Sequence, residues 1–250
     1  MLKEIKNLFS FLTTIPVSMD KDMLNDCAKY MFLFPLIGAF IGSLVGLCGW
    51  VTSYFLPNLV VGALMLGLLL LITGLHHTDG LLDFGDGVMA HGSPKRKIEI
   101  MHDQLTGAGG LSLGIITFLV TALSIAELKV DLFIQALVVA EVSAKLSMVV
   151  GAWAGKVAHK GMSSSFLEMM HGEKGTARLI LALVISFGIA LPLLWLTGVV
   201  TVLAAILVGL IMVGISHRHF KGVTGDVLGA TNEIARMASL IALLAMMRWI

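Results

Sequence analysis

A long uncharged segment constrains this chain more than any other feature: from Tyr30 to Thr78 it contains no Asp, Glu, Lys or Arg. That length allows two membrane crossings of about 20 residues each. A second uncharged segment lies between Arg178 and Arg218. Charged residues make up 13% and hydrophobic residues 57% of the chain, whereas roughly a quarter of the residues in a globular domain are charged. We therefore predict an integral membrane protein.

The uncharged segments predict a single membrane-embedded domain over residues 1–250, an all-α bundle of about seven transmembrane helices. Pro57 divides the first segment, and Thr197 with Gly198 divides the second. The last predicted helix is short for a crossing. The seven predicted helices cover 31–55, 58–75, 107–126, 131–152, the two parts of 178–218, and 235–250.

The basic residues predict the side on which each connection lies, because cytoplasmic segments of membrane proteins are enriched in Lys and Arg. With the N-terminus inside, 14 of the 17 lysines and arginines fall on the cytoplasmic side. Seven crossings then place the C-terminus outside. We predict a multi-pass protein of the cell membrane whose active site faces the cytoplasm. The inner segments are 1–30, 75–106, 153–178 and 215–236.

The N-terminal segment, residues 1–30, lacks the continuous apolar core and the cleavage site of a signal peptide. Its first apolar residues recur at helical spacing opposite charged residues. This pattern predicts an interfacial helix that lies on the inner leaflet of the bilayer. The helix is expected to end at Pro16.

The charge and the cysteines argue against several kinds of partner and site. A net charge of +1 argues against nucleic-acid binding, which needs a basic surface. Cys27 and Cys48 lie far apart in different settings, so they predict neither a disulfide framework nor a thiolate metal site. Gly38, Gly42 and Gly46 form a small-residue stripe, which predicts close helix packing within the chain or between the chains of a homo-oligomer.

The acidic segment, residues 75–106, carries the most informative pattern. Asp79, Asp83 and Asp86 have the spacing i, i+4, i+7, which places three carboxylates on one face of a helix. Glu99 and Asp103 repeat the i, i+4 spacing. Carboxylates grouped in this way suit hard divalent cations, and a His-x₃-His pair typical of zinc is missing. We predict Mg²⁺, two ions rather than one, with Mn²⁺ as the alternative.

Two metal ions held by carboxylates can clamp a phosphoryl group during an in-line displacement. The two acidic groups of this segment are similar to those of the membrane CDP-alcohol phosphotransferases, but the Ala-Arg element of that family does not follow Asp83. A phosphotransferase of that type, with a lipid or polyol acceptor, stays the alternative. A cation transporter is disfavoured, because its carboxylates should lie near the middle of the bilayer.

The sequence Asp79-Gly80-Leu81-Leu82-Asp83-Phe84-Gly85-Asp86-Gly87 closely resembles the cobalamin synthase family, the adenosylcobinamide-GDP ribazoletransferases. The resemblance extends in the same order over essentially the whole chain. The other matching stretches are Phe11–Val17, Arg96–Asp103 with Gly107 and Gly110, Gly161–Phe166, and Thr224–Ala230.

The resemblance implies a membrane transferase of the final step in nucleotide-loop assembly of vitamin B12. The adenosylcobinamide phosphate of adenosylcobinamide-GDP would pass to α-ribazole or its 5′-phosphate, and GMP would leave. Asp79, Asp83, Asp86 and Asp103 would hold Mg²⁺ at the pyrophosphate. Glu99 would complete the coordination shell or accept the attacking proton.

The resemblance also directs attention to residues outside the acidic segment. Asp226 is a candidate for a further ligand or for the base, with the alternative of a residue that favours a helix start. Glu141 and Lys145 are either functional or a mutually neutralising pair that faces the bundle. The predicted catalytic residues are Asp83, Glu99 and Asp226. The predicted substrate-binding residues are His76, His77, Lys95, Arg96, Glu141, Lys145, Arg218 and Asn232.

Overall fold

The computed structural model describes residues 2–15, 17, 23–159, 161 and 164–248. Pro16, the expected end of the first helix, lies outside these residues, as do Met162 and Ser163 of the family resemblance. Within them the chain is helical apart from turns and one isolated bridge between Val157 and Val223. The helices are α1 (Leu2–Leu12), α2 (Met23–Lys29), α3 (Phe34–Thr52), α4 (Asn58–Ile72), α5 (His76–Met89), α6 (Pro94–Met101), α7 (Ala108–Ala126), α8 (Phe133–Ala154), α9 (Ser164–His171), α10 (Gly175–Phe220) and α11 (Gly225–Met247).

Among the described residues, five helices are long and apolar enough to cross a membrane: α3, α7, α8, α10 and α11. Helix α4 meets the same test only together with α5, and the two are bent by 97°. The bend follows from left-handed backbone at Gly74 and Leu75, with φ of 67° and 62°. The all-α membrane fold is confirmed, whereas the number of seven crossings is not.

Helix α10 contains a sharp break. Trp195 has φ 48° and ψ −133°, which no α-helix accommodates. A Cβ built at Gly198 would lie 2.2 Å from the carbonyl oxygen of Ala190, although eight residues of straight helix rise about 12 Å. The chain therefore folds back on itself at Trp195, close to the predicted break at Thr197 and Gly198.

Helix α8 occupies the centre of the bundle, where every residue from Ala136 to Ala152 is buried. Helix α3 packs directly on its backbone. A Cβ at Gly38 would lie 2.5 Å from the carbonyl oxygen of Glu141, and one at Gly42 would lie 2.5 Å from that of Leu137. Only glycine allows this approach, so the predicted packing role of the stripe is confirmed, within the chain.

The last helix differs from the prediction. It was expected over 235–250, after an inner loop, but α11 begins at Gly225 and ends at Met247. The prediction was wrong because charge was taken to mark the loop, whereas Glu233 and Arg236 are buried inside the bundle. Arg236 therefore does not belong to the cytoplasmic basic residues used to orient the chain. Its charge is balanced by Glu141 on α8.

Helix α1 uses its apolar face to pack on the bundle. Leu8 and Leu12 are buried, and the ring of Phe9 meets that of Phe40 edge to face at 4.9 Å between centroids. The amide of Thr14 donates to the carbonyl oxygen of Ile72 at 2.7 Å. These contacts attach α1 to α3 and α4, while its position on the inner leaflet stays a prediction.

Candidate active site

Helices α5 and α11 cross in backbone contact. A Cβ at Gly80 would lie 2.9 Å from both the Cα and the carbonyl oxygen of Asp226, and one at Gly229 would lie 3.2 Å from the Cα of His77. Glycine on each helix is what permits this crossing. The crossing brings Asp226 beside the acidic face of α5, although nearly 150 residues separate them in the chain.

Asp83 is half-buried among other carboxylates. The charges that act most strongly on it are those of Asp79, Asp226 and Asp86, and the charge of Asp79 also acts on Asp226. In the part of the chain that the structure describes, no Lys or Arg forms an ion pair with Asp79 or Asp83. Within the described residues, therefore, no basic side chain relieves the repulsion between the carboxylates of Asp79 and Asp83.

The donor chemistry of this cluster fits a hard divalent cation, whose ligands are carboxylate oxygens. Among the described residues, no three His, Cys, Asp or Glu side chains converge closely enough to make a closed metal site. Mg²⁺ commonly keeps several water or phosphate oxygens and takes only one or two protein carboxylates. An open pair such as Asp79 and Asp83 suits that mode of binding.

Asp86 has a structural role at the start of α7. Its Oδ2 accepts a hydrogen bond of 2.7 Å from the amide of Gly107, and its Oδ1 accepts one of 2.8 Å from the amide of Gly110. Asp86 thus caps the N-terminus of α7, where free amides and the helix dipole favour an anion. A Cβ at Gly110 would lie 2.5 Å from the carbonyl oxygen of Leu82, so the glycines of this motif allow α7 to contact α5. The predicted ligand role of Asp86 stays a prediction.

The second acidic pair lies apart from the first. Glu99 is exposed on α6 and pairs with Arg96 at 3.3 Å. Asp103 is exposed after α6 and accepts a hydrogen bond from the amide of Leu105 at 3.2 Å. Neither is among the charges that act on Asp83. Their predicted metal and base roles therefore stay predictions.

The predicted basic residues lie at one end of the bundle. Lys95 and Arg96 on α6 and Arg218 near the end of α10 are all exposed. The Nζ of Lys97 lies 2.9 Å from the Nδ1 of His219, which places α6 beside the end of α10. These exposed cations lie where a phosphate-bearing substrate would have access from solvent.

A cavity of about 590 Å³ opens beside Asp226. Asp226 itself and two of the predicted substrate-binding residues, His76 and His77, line it, and His77 is buried. The Nε2 of His102 lies 4.0 Å from the Oδ2 of Asp226, and the rings of His102 and His159 are 5.5 Å apart. The cavity therefore has a wall of histidines that ends at the carboxylate of Asp226.

Sequence reasoning did not identify His159. Its segment is held in place by a contact that joins distant parts of the chain: Val223 donates to the carbonyl oxygen of Lys156 at 2.7 Å, and Ala158 donates back to Val223 at 3.2 Å. The amide of Lys156 also donates to the Nε2 of His217 at 3.0 Å. No local pattern in the sequence signals this pairing.

Three predicted substrate-binding residues belong instead to an enclosed polar network. Lys145 donates to the Oδ1 of Asn232 at 2.7 Å and lies 3.8 Å from the Oε2 of Glu141. Arg236 donates to both Glu141 and Glu233. Two carboxylates balance two cations, as a stable buried network requires. None of the five lines the cavity, so the mutually neutralising arrangement is observed and a substrate contact stays a prediction.

The sequence matches the family model of cobalamin-5-phosphate synthase over residues 4–244. Similar proteins include adenosylcobinamide-GDP ribazoletransferases from three organisms. That of Methanococcoides burtonii is 33% identical, covering 97% of this chain and 92% of the relative. That of Methanocella arvoryzae is 35% identical, covering 96% and 94%, and that of Clostridium novyi is 30% identical, covering 98% and 97%. No solved structure matches the chain.

Proposed function

The chain belongs to the cobalamin-5-phosphate synthase family, and from that membership we propose the reaction of its relatives for it. It is a membrane transferase of the final step in nucleotide-loop assembly of cobalamin. The adenosylcobinamide phosphate of adenosylcobinamide-GDP passes to α-ribazole or α-ribazole 5′-phosphate, and GMP is released. The observation that carries the site assignment is the crossing of Gly80 with Asp226, which joins the acidic face of α5 to the cavity.

In the proposed reaction a ribose hydroxyl oxygen of the acceptor attacks the phosphorus atom bonded to cobinamide. A new phosphorus–oxygen bond forms, and the bond from that phosphorus to the bridging oxygen of the pyrophosphate breaks. The electron pair of the broken bond leaves with GMP. The hydroxyl proton passes to a base, for which we propose Asp226, because it lines the cavity and also faces the acidic cluster.

Asp79 and Asp83 are the proposed ligands of a divalent cation, Mg²⁺ or Mn²⁺. When bound, the ion supplies positive charge that neutralises the oxygens of the pyrophosphate. The protein's own part is to hold the two carboxylates on one rigid helix, since Asp79 and Asp83 lie one turn apart on α5. A second ion, which the sequence predicts, would need ligands outside this pair.

The exposed cations at the end of α6 and α10 are proposed to bind the phosphates of the GDP portion. Arg is suited to this task because its guanidinium group can donate two parallel hydrogen bonds to a phosphate. Arg96 and Arg218 are both exposed. Arg96 would exchange its partner Glu99, which lies at the surface at 3.3 Å, for a phosphate.

The reaction can be tested with the full chain purified in detergent or nanodiscs. The protein is incubated with adenosylcobinamide-GDP, α-ribazole and Mg²⁺, and the products are separated by chromatography. GMP and a cobamide should appear in equal amounts. CDP-diacylglycerol with glycerol phosphate, the substrates of the alternative, should release no CMP. Absence of GMP with Mg²⁺, Mn²⁺ and other divalent ions would refute the proposed function.

A further inference from the structure

The cavity beside Asp226 has two chemically different walls. Its volume of about 590 Å³ lies within the range of small-molecule sites, roughly 300 to 1,000 Å³. One wall consists of the histidines and Asp226. The other wall is mostly apolar and is formed by side chains from α1, α2, α3, α8 and α9.

Three phenylalanine rings belong to the apolar wall. Phe11 on α1 and Phe166 on α9 are stacked, with 5.4 Å between centroids and 27° between planes. Phe34 on α3 lies 6.1 Å from Phe166. Aromatic rings gain from stacking against other flat rings. Phe34 and Phe166 are almost fully buried, at 0% and 4% exposed, whereas Phe11 is half-buried. Phe11 therefore offers the surface for a planar aromatic ligand, and Phe166 packs against it.

The histidine wall contains a buried nitrogen without a partner. The side chain of His77 is 7% exposed, and its Nδ1 has no hydrogen-bond partner among the described residues. The Nδ1 of His159, on the same wall, is also buried and unpaired within that part of the chain. Buried polar atoms are nearly always hydrogen-bonded in native proteins. These two nitrogens therefore point to a ligand that supplies hydrogen-bonding groups.

The charge of the lining indicates which substrate the cavity suits. The described residues that line it include one carboxylate, Asp226, and no Lys or Arg. An anionic pyrophosphate would find no cation there, whereas an uncharged heterocycle would find aromatic rings and ring nitrogens. The exposed cations Arg96 and Arg218 lie instead on α6 and near the end of α10.

We propose that this cavity binds the heterocyclic base of the acceptor nucleoside. The flat ring lies against Phe11, a ring nitrogen of the base accepts a hydrogen bond from His77, and the ribose points towards Asp226. This assignment rests on the proposed function for the identity of the acceptor, a benzimidazole nucleoside. The donor is thereby placed outside the cavity, at the acidic face of α5.

The inference is tested by binding of α-ribazole alone to the full chain in nanodiscs, measured by calorimetry. Phe11→Ala should weaken binding about tenfold, a loss typical of removing one stacking ring. In the turnover assay the KM for α-ribazole should rise by a similar factor, while the KM for adenosylcobinamide-GDP stays within about twofold. Phe55→Ala is the matched control, because Phe55 is 80% exposed between α3 and α4.

A change in the ligand tests the bond to His77 without altering the protein. An indole analogue of α-ribazole lacks the free ring nitrogen, so it should bind wild type about tenfold more weakly than α-ribazole does. The His77→Leu variant should bind α-ribazole and the indole analogue with equal affinity. Phe11→Leu, which keeps an apolar side chain at the site, replaces Phe11→Ala in these tests if Phe11→Ala fails to fold.

The outcomes separate this inference from the function on which it rests. If wild type releases GMP but the Phe11 variants raise only the KM for adenosylcobinamide-GDP, the cavity binds the donor and the inference is wrong. Unchanged binding of α-ribazole by these variants would also overturn it. If wild type releases no GMP, the proposed function itself fails.

Discussion

Gly80 of α5 and Asp226 of α11 are in backbone contact: a Cβ at Gly80 would lie 2.9 Å from the Cα of Asp226. Through this contact a residue near the end of the chain joins the carboxylates of the acidic segment. Real Cβ atoms essentially never lie this close to backbone atoms. The distance between the two helices, and with it the position of Asp226 relative to Asp83, therefore depends on the absence of a side chain at Gly80.

Gly80→Ala should push α5 away from α11 and lower turnover by at least about tenfold, because a misplacement of about 1 Å can have a large effect on rate. GMP release and thermal unfolding are measured together. Gly67→Ala is the control, since nothing lies within 4 Å of a Cβ at Gly67. Normal turnover by Gly80→Ala would show that the crossing does not position the site.

Asp83→Asn and Asp226→Asn should both lower turnover at least about a hundredfold, but for different reasons. If Asp83 is a metal ligand, Asp83→Asn should raise the Mg²⁺ concentration needed for residual activity. If Asp226 is the base, Asp226→Asn should lower kcat and leave the Mg²⁺ dependence unchanged. Chelation with EDTA should stop the wild-type reaction. Asp131→Asn, at an exposed position before α8, is the control, and a normal rate for Asp83→Asn would remove it from the site.

Asp86→Ala should reduce stability by roughly 0.5 to 2 kcal/mol, the usual loss when a helix cap is removed. The two hydrogen bonds to Gly107 and Gly110 are the physical reason. Asp86→Asn keeps one acceptor and should restore part of the stability. Thermal unfolding and Mg²⁺ titration of both variants are compared. A rise in the Mg²⁺ requirement of Asp86→Asn as large as that of Asp83→Asn would establish a ligand role instead.

Arg236→Met should destabilise the protein by about 3 to 5 kcal/mol, because it leaves two buried carboxylates, Glu141 and Glu233, with Lys145 as the one cation of the network. Combining it with Glu141→Gln should recover part of that loss, since the second change removes one of the unpaired charges. Unfolding of the single and double variants is followed in nanodiscs. A single variant as stable as wild type would mean that the network is not enclosed as described.

The sidedness of the protein follows from the proposed cytoplasmic active site and can be tested by cysteine labelling. In a background with Cys27 and Cys48 replaced by alanine, Lys95→Cys on α6 should react only with a reagent that reaches the cytoplasm. Asp131→Cys, before α8, should react from outside. Both positions are exposed. Labelling of position 95 from outside would reverse the orientation.

Patterns among neighbouring residues predicted much of the molecule. The i, i+4, i+7 spacing of Asp79, Asp83 and Asp86 correctly indicated one helix, α5. The glycine stripe from Gly38 correctly indicated a packing surface. Charge content was a less reliable guide, because it placed Arg236 in a loop. A charge can lie inside a helical bundle when a partner on another helix compensates it, and Glu141 is 95 residues away.

By itself, the sequence determined that this is an all-helical membrane protein with carboxylates on one face of α5. Hydropathy and helical periodicity depend on residues close together in the chain, so both can be recognised without a structure. Only the tertiary structure decided that Asp226 joins those carboxylates, that Asp86 caps α7, and that Phe11 and His77 line one cavity. Those relationships depend on where helices cross, and the crossings are set by side-chain volume at contacts between residues far apart in the sequence.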